Sequence, residues 1–266
     1  MAIERFRYDG KRALIVGAAT GMGAATARAV TELGGEVIAL DVAPISYPAK
    51  QVVTANLSQR ASVDAALAQI GGPIHAVFLC AGVADGNPHI LAINFLAQRH
   101  LLEKLVERSA LPRGSAVALI SSVAGMGWQM NLAKLKEFMA LPDWDSAAAW
   151  SAANEGTNSY VFSKQAMNFY AAQQAFPLSK RGIRINAIEP GPTDTPLARA
   201  NADVWLRFGK TYREEAGVET LTPEQMADVL VFLCSPAASG MSGISMLIDQ
   251  GLMNSGIAGS FTKPPM

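Results

Sequence analysis

Short runs of apolar and β-branched residues alternate along the chain with longer segments of helical periodicity. The pattern predicts strands at Arg12 to Gly17, Glu36 to Asp41, Gln51 to Thr54, Ala76 to Cys80, Ala116 to Ser121, Ile183 to Ile188 and Met246 to Asp249. Several of these are apolar almost throughout, as strands covered on both faces are. Helices are predicted at 22–34, 59–70, 90–110, 160–180 and 223–234. A βαβα alternation implies an α/β fold, a parallel sheet with helices on both sides. No composition break, internal repeat or low-complexity tract marks a boundary, so one domain spanning 1–266 is expected.

Two stretches break the alternation. In 123–159 two Trp-bearing pieces, Gly127 to Leu141 and Pro142 to Glu155, interrupt the passage from strand to helix. In 192–222 Trp205, Phe208 and Tyr212 recur at roughly helical spacing. Structureless loops of such length are uncommon in compact domains, so both are expected to be helical insertions or lids, or else extra surface helices packed for stability. The tail from Gly251 to Met266, with Gly256, Gly259 and the closing Lys263-Pro264-Pro265-Met266, cannot hold regular structure for long. A contact with a neighbouring subunit is the expectation for it, with a loose tail as the alternative.

Composition narrows the class. Half of the 266 residues are apolar and 17% are charged, which excludes disorder and coiled coil. The 22 basic and 22 acidic side chains cancel, and no basic stripe is present to engage nucleic acid. Cys80 and Cys234 lie in apolar runs without metal spacing, the signature of buried thiols in a reducing compartment. Met1 to Gly10 carries Glu4, Arg5, Arg7 and Asp9 and no apolar core of a secretory signal. The longest apolar stretches are too short and too interrupted to span a bilayer. A cytoplasmic protein with no membrane partner is expected, and no metal site.

Candidate chemistry begins where the first strand runs into Gly17-Ala18-Ala19-Thr20-Gly21-Met22-Gly23 and a helix of small residues. Glycines there let the backbone turn sharply and approach a pyrophosphate at the positive end of the helix. The second strand ends in Asp41, where a carboxylate can accept both hydroxyls of an adenosine ribose and repel a 2′-phosphate. Neither Ala18 nor Val42 offers a guanidinium for such a phosphate. NAD is therefore expected rather than NADP, the alternative being an aspartate that merely closes its strand.

Tyr160 and Lys164 are one turn apart at the start of a helix and share a face, and Ser122 directly follows the fifth strand. With these residues the chain resembles the short-chain dehydrogenase/reductase family over essentially its whole length. The glycine turn appears as Gly17, Gly21 and Gly23 and the second-strand acid as Asp41. Asn56-Leu57 resembles the pair flanking the adenine, and Leu79-Cys80-Ala81-Gly82 stands where the family usually has Asn-Asn-Ala-Gly. Asn94 matches the asparagine of the fourth helix, Ser122 the serine, and Tyr160 with Lys164 the YxxxK pair. Pro190-Gly191 with Thr193 and Thr195 is similar to the segment that holds the nicotinamide carboxamide.

The resemblance implies a Rossmann-type, doubly wound, seven-stranded parallel sheet in a single domain, with a helical insertion at about 125–158. It implies catalytic roles for Asn94, Ser122, Tyr160 and Lys164, with Tyr160 moving the proton and Ser122 polarising the substrate oxygen. Lys164 would also hold the nicotinamide ribose, and Asn94 would anchor a water linking Lys164 to solvent. It implies cofactor contacts at Gly17, Thr20, Gly21, Met22, Gly23, Asp41, Asn56, Leu57, Ala81, Gly82, Tyr160, Lys164, Gly191, Thr193 and Thr195. A tyrosine titrates near 10, so proton transfer near neutrality asks for a drop of roughly 3 units, about 4 kcal/mol. One ammonium at about 4 Å supplies roughly that at an effective dielectric near 20. Lys164, helped by the positive ring of the oxidised cofactor, is expected to be enough. Strand alternation turns Ser121, the rival hydroxyl, to the opposite side.

Two departures stand out. Leu79 and Cys80 replace polar asparagines that usually tie strands together, so other groups must do so here; Cys80 reads as a small buried side chain, not a nucleophile. Ser122 and Tyr160 are also farther apart than in most members, the excess holding Trp128, Trp144 and Trp150. In this the chain is similar to a branch that includes bacterial 3α-hydroxysteroid dehydrogenase/carbonyl reductase, and to coniferyl-alcohol dehydrogenases. The insertion favours a homodimer over the family's common tetramer. The expected activity is NAD-dependent interconversion of a bulky hydrophobic alcohol and its carbonyl, of hydroxysteroid type. The alternatives are an aromatic alcohol such as coniferyl alcohol, a non-catalytic NAD-binding sensor, or an epimerase or dehydratase. Val83, Val123, Trp128, Met130, Pro192, Trp205 and Phe208 are expected around the reacting carbon, or else as core or dimer contacts. No cation is aimed there apart from Arg199 and Arg207 in the lid.

Overall fold

The computed structural model describes residues 3–262. Its centre is a seven-stranded sheet, every strand parallel to its neighbours. In chain order the strands are β1 (Arg12–Val16), β2 (Glu36–Asp41), β3 (Gln51–Thr54), β4 (Ala76–Leu79), β5 (Ala116–Ile120), β6 (Arg184–Pro190) and β7 (Ser245–Ile248). The spatial order is β3-β2-β1-β4-β5-β6-β7. Winding reverses between β1 and β4, and the crevice outside the carboxyl ends of the strands opens at such a switch point. The expected doubly wound α/β fold is the observed one.

The helices are α1 (Gly21–Glu32), α2 (Arg60–Gln69), α3 (Ala97–Glu107), α4 (Leu132–Met139), α5 (Trp144–Ala153) and α6 (Tyr160–Lys180). They continue as α7 (Pro196–Arg199), α8 (Ala202–Trp205), α9 (Lys210–Ala216), α10 (Pro223–Cys234) and α11 (Leu252–Ile257). One hydrophobic layer joins a face of the sheet to α2, α3 and α6. The opposite layer joins the other face to α1 and α10, with the amino-terminal Tyr8 donating its hydroxyl to the Val231 carbonyl at 2.8 Å. α1 packs closely because Ala24, Ala25 and Ala27 face inward. α10 is started by Pro223 and by a reciprocal Thr222–Gln225 cap.

Both irregular stretches are helical. The first is α4 and α5, whose Phe138 and Trp150 rings pack against Phe162 of α6 at 5.3 and 6.1 Å. This is a lobe added to the α6 layer. Trp128 lies edge-on to Phe169 at 5.7 Å, and Met130 is 96% exposed, so neither stands where the sequence pattern put it, beside the reacting carbon. The second is a lid of three short helices, α7 to α9. Left-handed Gly209 separates α8 from α9, so Trp205, Phe208 and Tyr212 do not share one helix. The described tail packs on this lid within its own chain. Tyr212 donates to the Gln250 carbonyl at 2.8 Å and meets the Phe261 ring at 5.1 Å. Lys263-Pro264-Pro265-Met266 lies outside the described residues. Among the described residues no helix is long and apolar enough to cross a membrane.

Candidate active site

One cleft of about 590 Å³ runs along the carboxyl edge of the sheet from Asp41 to Tyr160. Every candidate site residue lines it except Gly23 and Asn94.

At the first end, β1 and β4 finish level, with Val16 opposite Leu79, so the two outgoing turns nearly touch. A Cβ on Gly17 would lie 2.5 Å from the Ala81 backbone, and one on Gly23 would lie 2.0 Å from the Gly17 carbonyl oxygen. Side chains are excluded there, which is how the turn brings backbone and the start of α1 up to the cleft. Thr20 stands at the N-cap without a side-chain cap bond, so its hydroxyl is not committed to the helix. Asp41 accepts from Ala19 N–H on one oxygen (2.8 Å) and from Ala43 N–H on the other (3.0 Å). The carboxylate is thereby fixed at the wall. Tyr47 donates to the Ala18 carbonyl at 2.7 Å, and the Arg28 guanidinium lies over its ring. Asn56 closes a turn by accepting from Ser58 N–H and Oγ, leaving Leu57 to the cleft wall.

The other end is built by β5, α6 and the turn after β4. Ser121 is buried and donates to the Lys164 carbonyl at 2.9 Å, whereas Ser122 stands beside Tyr160 and accepts from Ala124 N–H. The two serines divide as strand alternation predicts. Lys164 is 3% exposed and donates to the Ile120 carbonyl at 2.8 Å, its ammonium 5.3 Å from the centre of the Tyr160 ring. Burial pulls the ammonium down to about 8. Burial also pushes the Tyr160 hydroxyl up to about 12; the Ser122 side chain opposes this and the Asp85 charge adds to it. The sequence arithmetic, which relied chiefly on Lys164 to lower the tyrosine, is therefore not met by the chain alone. Desolvation is the largest influence on that hydroxyl.

Asn94 does not line the cleft. It is fully buried, accepts from Val83 N–H at 2.8 Å, and donates to the Val83 carbonyl and Ser163 Oγ. A π turn at Ala92–Leu96 rotates it inward, a distortion that 3.6-residue periodicity does not reveal. A Cβ on Gly82 would be 3.8 Å from both Asn94 Oδ1 and Lys164 Nζ, so the two flank that glycine.

Sequence reasoning missed two residues. Gln98 shares its amide N–H groups among the carbonyls of Ala81, Ile93 and Asn94, tying α3 to the turn after β4; its signal was an amide on the buried stripe of a helix. Asp85, at the cleft mouth, accepts from Tyr160 N–H at 2.8 Å; nothing in the sequence ties residues so far apart. Cys80 is half-buried rather than buried: it packs beside Gly23 and lines the cleft, and desolvation raises its thiol to about 12. On the β6 side, Thr193 donates to the Gly191 carbonyl and Thr195 caps α7 by accepting from Ala198 N–H. Trp205 closes over the site, its ring 4.8 Å from that of Tyr160.

A switch-point cleft with a glycine cradle at one end and a Ser-Tyr-Lys cluster at the other defines the class of dinucleotide-dependent α/β proteins. A family model described as enoyl-(acyl carrier protein) reductase matches residues 17–253, and the chain belongs to the short-chain dehydrogenase/reductase family of oxidoreductases. The chain is 27% identical over 250 residues to coniferyl-alcohol dehydrogenase of Pseudomonas sp. strain HR199, covering 91% of this chain and 96% of that one. It is 28% identical over 249 residues to 3-alpha-hydroxysteroid dehydrogenase/carbonyl reductase of Comamonas testosteroni, covering 90% and 95%. The fold is shared with the crystal structure of the 3-alpha-hydroxysteroid dehydrogenase from Pseudomonas sp. B-0831 complexed with NADH. That match has a TM-score of 0.76 at 24% identity and covers 94% of this chain and 100% of that one. The family binds a nicotinamide cofactor, and the cradle is compatible with one: Gly17 and Gly23 admit no side chain, and the Asp41 carboxylate is fixed at the cleft wall.

Proposed function

We propose that this protein is an NAD-dependent oxidoreductase interconverting a bulky hydrophobic alcohol and its carbonyl, with Tyr160 as acid and base. The observation that carries this reading is the single cleft joining Asp41 to the Ser122–Tyr160–Lys164 cluster. Gly17, Thr20, Gly21 and Met22 would hold the pyrophosphate, with Gly23 allowing the close turn. Asp41 would take the adenosine ribose, and Asn56 and Leu57 would flank the adenine. Ala81, Gly82, Gly191, Thr193 and Thr195 would border the nicotinamide half. When bound, the oxidised nicotinamide supplies the hydride acceptor and a positive charge that favours the phenolate. Ser122 holds the substrate oxygen beside Tyr160; Tyr160 takes the hydroxyl proton in oxidation and returns it in reduction. Lys164, with its ammonium buried, stabilises that phenolate and would reach the nicotinamide ribose. Asn94 fixes Val83 and acts as a positioning residue behind Gly82.

Asp41 supports NAD, since a second negative charge beside a fixed carboxylate is unfavourable. Val83, Val123, Pro192, Trp205 and Phe208 line the reacting end, which supports a bulky apolar substrate of hydroxysteroid type. The Trp205 ring over Tyr160 favours an aromatic alcohol as the second reading. The test is NADH formation from NAD or NADP at mildly alkaline pH with a 3α-hydroxysteroid, a 17β-hydroxysteroid, coniferyl alcohol and a small secondary alcohol. Turnover with NAD and one bulky class is expected. Tyr160→Phe should lower it by about 10²–10⁴-fold and leave NADH binding intact. A variant that keeps most of its rate refutes the role of Tyr160. The reading includes a cytoplasmic homodimer, and a tetramer by light scattering would remove the dimer.

A further inference from the structure

Charge is distributed unevenly around the cleft. Its charged lining side chains are Asp41, Asp85 and Lys164. Asp41 stands at the cradle end, and Lys164 is buried with its ammonium committed to the Ile120 carbonyl. The lid arginines are turned to other work. Arg199 is paired with Asp194 at 2.6 Å, Arg213 donates to the carbonyls of Leu206 and Phe208, and Arg207 borders a separate hollow of the lid. The reacting end thus presents one solvent-facing charge, and it is negative.

Asp85 is held rigidly in that position. Val83, two residues before it, is clamped by Asn94 through both its N–H and its carbonyl. After it, Asn158 accepts from Leu91 N–H and donates to the Pro88 carbonyl, tying the same loop to the lead-in of α6. Asp85 Oδ1 accepts from Tyr160 N–H, and Oδ2 has no partner among the described residues. The Asn158 bridge already fastens the loop, so the second carboxylate oxygen is free to act on what enters. The rim beside it is apolar and exposed, Val161 at 48% and Val204 at 70%.

We propose that Asp85 is the charge-selecting residue of the cleft, admitting uncharged apolar alcohols and discriminating against those that carry an anionic group. The inference rests on the oxidoreductase reading and adds to it the electrical character of the substrate. An alcohol with a carboxylate handle meets a fixed like charge at the mouth and finds no free cation further in.

The experiment compares 4-(hydroxymethyl)benzoate with its methyl ester, two probes of nearly the same shape. Wild type is expected to prefer the ester in kcat/KM. Asp85→Asn keeps the acceptor for Tyr160 N–H and should reduce the preference about two- to fivefold; its effect on Tyr160 falls on both compounds and cancels in the ratio. That difference should shrink at high salt. Asp85→Lys should move the preference further toward the anion. An ester-to-anion ratio unchanged across the three proteins overturns the proposal. Calorimetric binding of the same two compounds separates it from the redox reading. If neither is turned over yet the ester binds better and Asp85→Asn narrows the gap, Asp85 keeps its role and the redox reading is decided by the steroid and coniferyl alcohol panel. If that gap is the same in both proteins, the role of Asp85 is refuted whatever the turnover.

Discussion

Glu189 offers the sharpest link between this structure and a measurable quantity. It lies in β6 at 6% exposure, accepts a bond from Asn168 Nδ2, and has Asp249 as its charged neighbour. Burial, with the Asp249 charge adding to it, pushes its carboxyl from 4.5 up to about 6, against the opposing Asn168 bond. Between those two values the folded chain holds more proton than the unfolded one. Stability attributable to this group therefore falls as pH rises from about 4.5 to 6, and the loss is complete above that window. A shift of this size corresponds to about 2 kcal/mol. Glu189→Gln cannot ionise, and its amide oxygen can still accept from Asn168. The variant should match wild type near pH 4.5 and exceed it by up to about 2 kcal/mol at pH 8. Urea unfolding at fixed protein concentration across pH 4.5–8 reads the difference. A gap that does not widen between pH 4.5 and 6, or a variant less stable than wild type at pH 8, refutes the reasoning.

Other perturbations test separate parts of the site. Gly23→Ala drives a methyl against the Gly17 carbonyl and should weaken NADH binding at least about tenfold in a fluorescence titration; unchanged affinity would contradict the cradle. Gln98→Leu removes the amide that ties α3 to the Ala81 carbonyl and should cost about 1–3 kcal/mol in chemical denaturation. Phe261→Ala removes the ring that braces Tyr212, and hydrogen exchange should quicken in α9 while β4 and β5 stay protected. Equal exchange in α9 would show that the tail does not hold the lid.

Much of the fold was legible because buried parallel strands are apolar throughout and the helices between them are punctuated by caps and glycines. The strand predicted at Glu36 to Asp41 is β2 to the residue, and β6 overran its predicted end only because Ile188 to Pro190 still pair with β7. What hydrophobic pattern does not encode is the third dimension of polar contacts. Asn94 reads as the anchor of a water beside Lys164, and the sequence does not reveal the π turn or the bonds to Val83 that hold it. Trp128 and Met130 read as pocket walls because bulky apolar residues near a reactive serine have two possible destinations, and one faces the added lobe. Asp85 and Tyr160 meet only once the sheet is assembled.

The packing of α1 against α10 sets a condition on how the chain comes into being. α1 opens at the glycine turn and is among the first elements made, whereas Leu230, Val231 and Cys234, in the layer that covers it, are among the last. During synthesis its small-residue face has no cover until nearly the whole polypeptide has left the ribosome, and the aggregation-prone interval is correspondingly long. The amino-terminal half consequently lacks, on its own, the cover for one face of α1 that α10 provides.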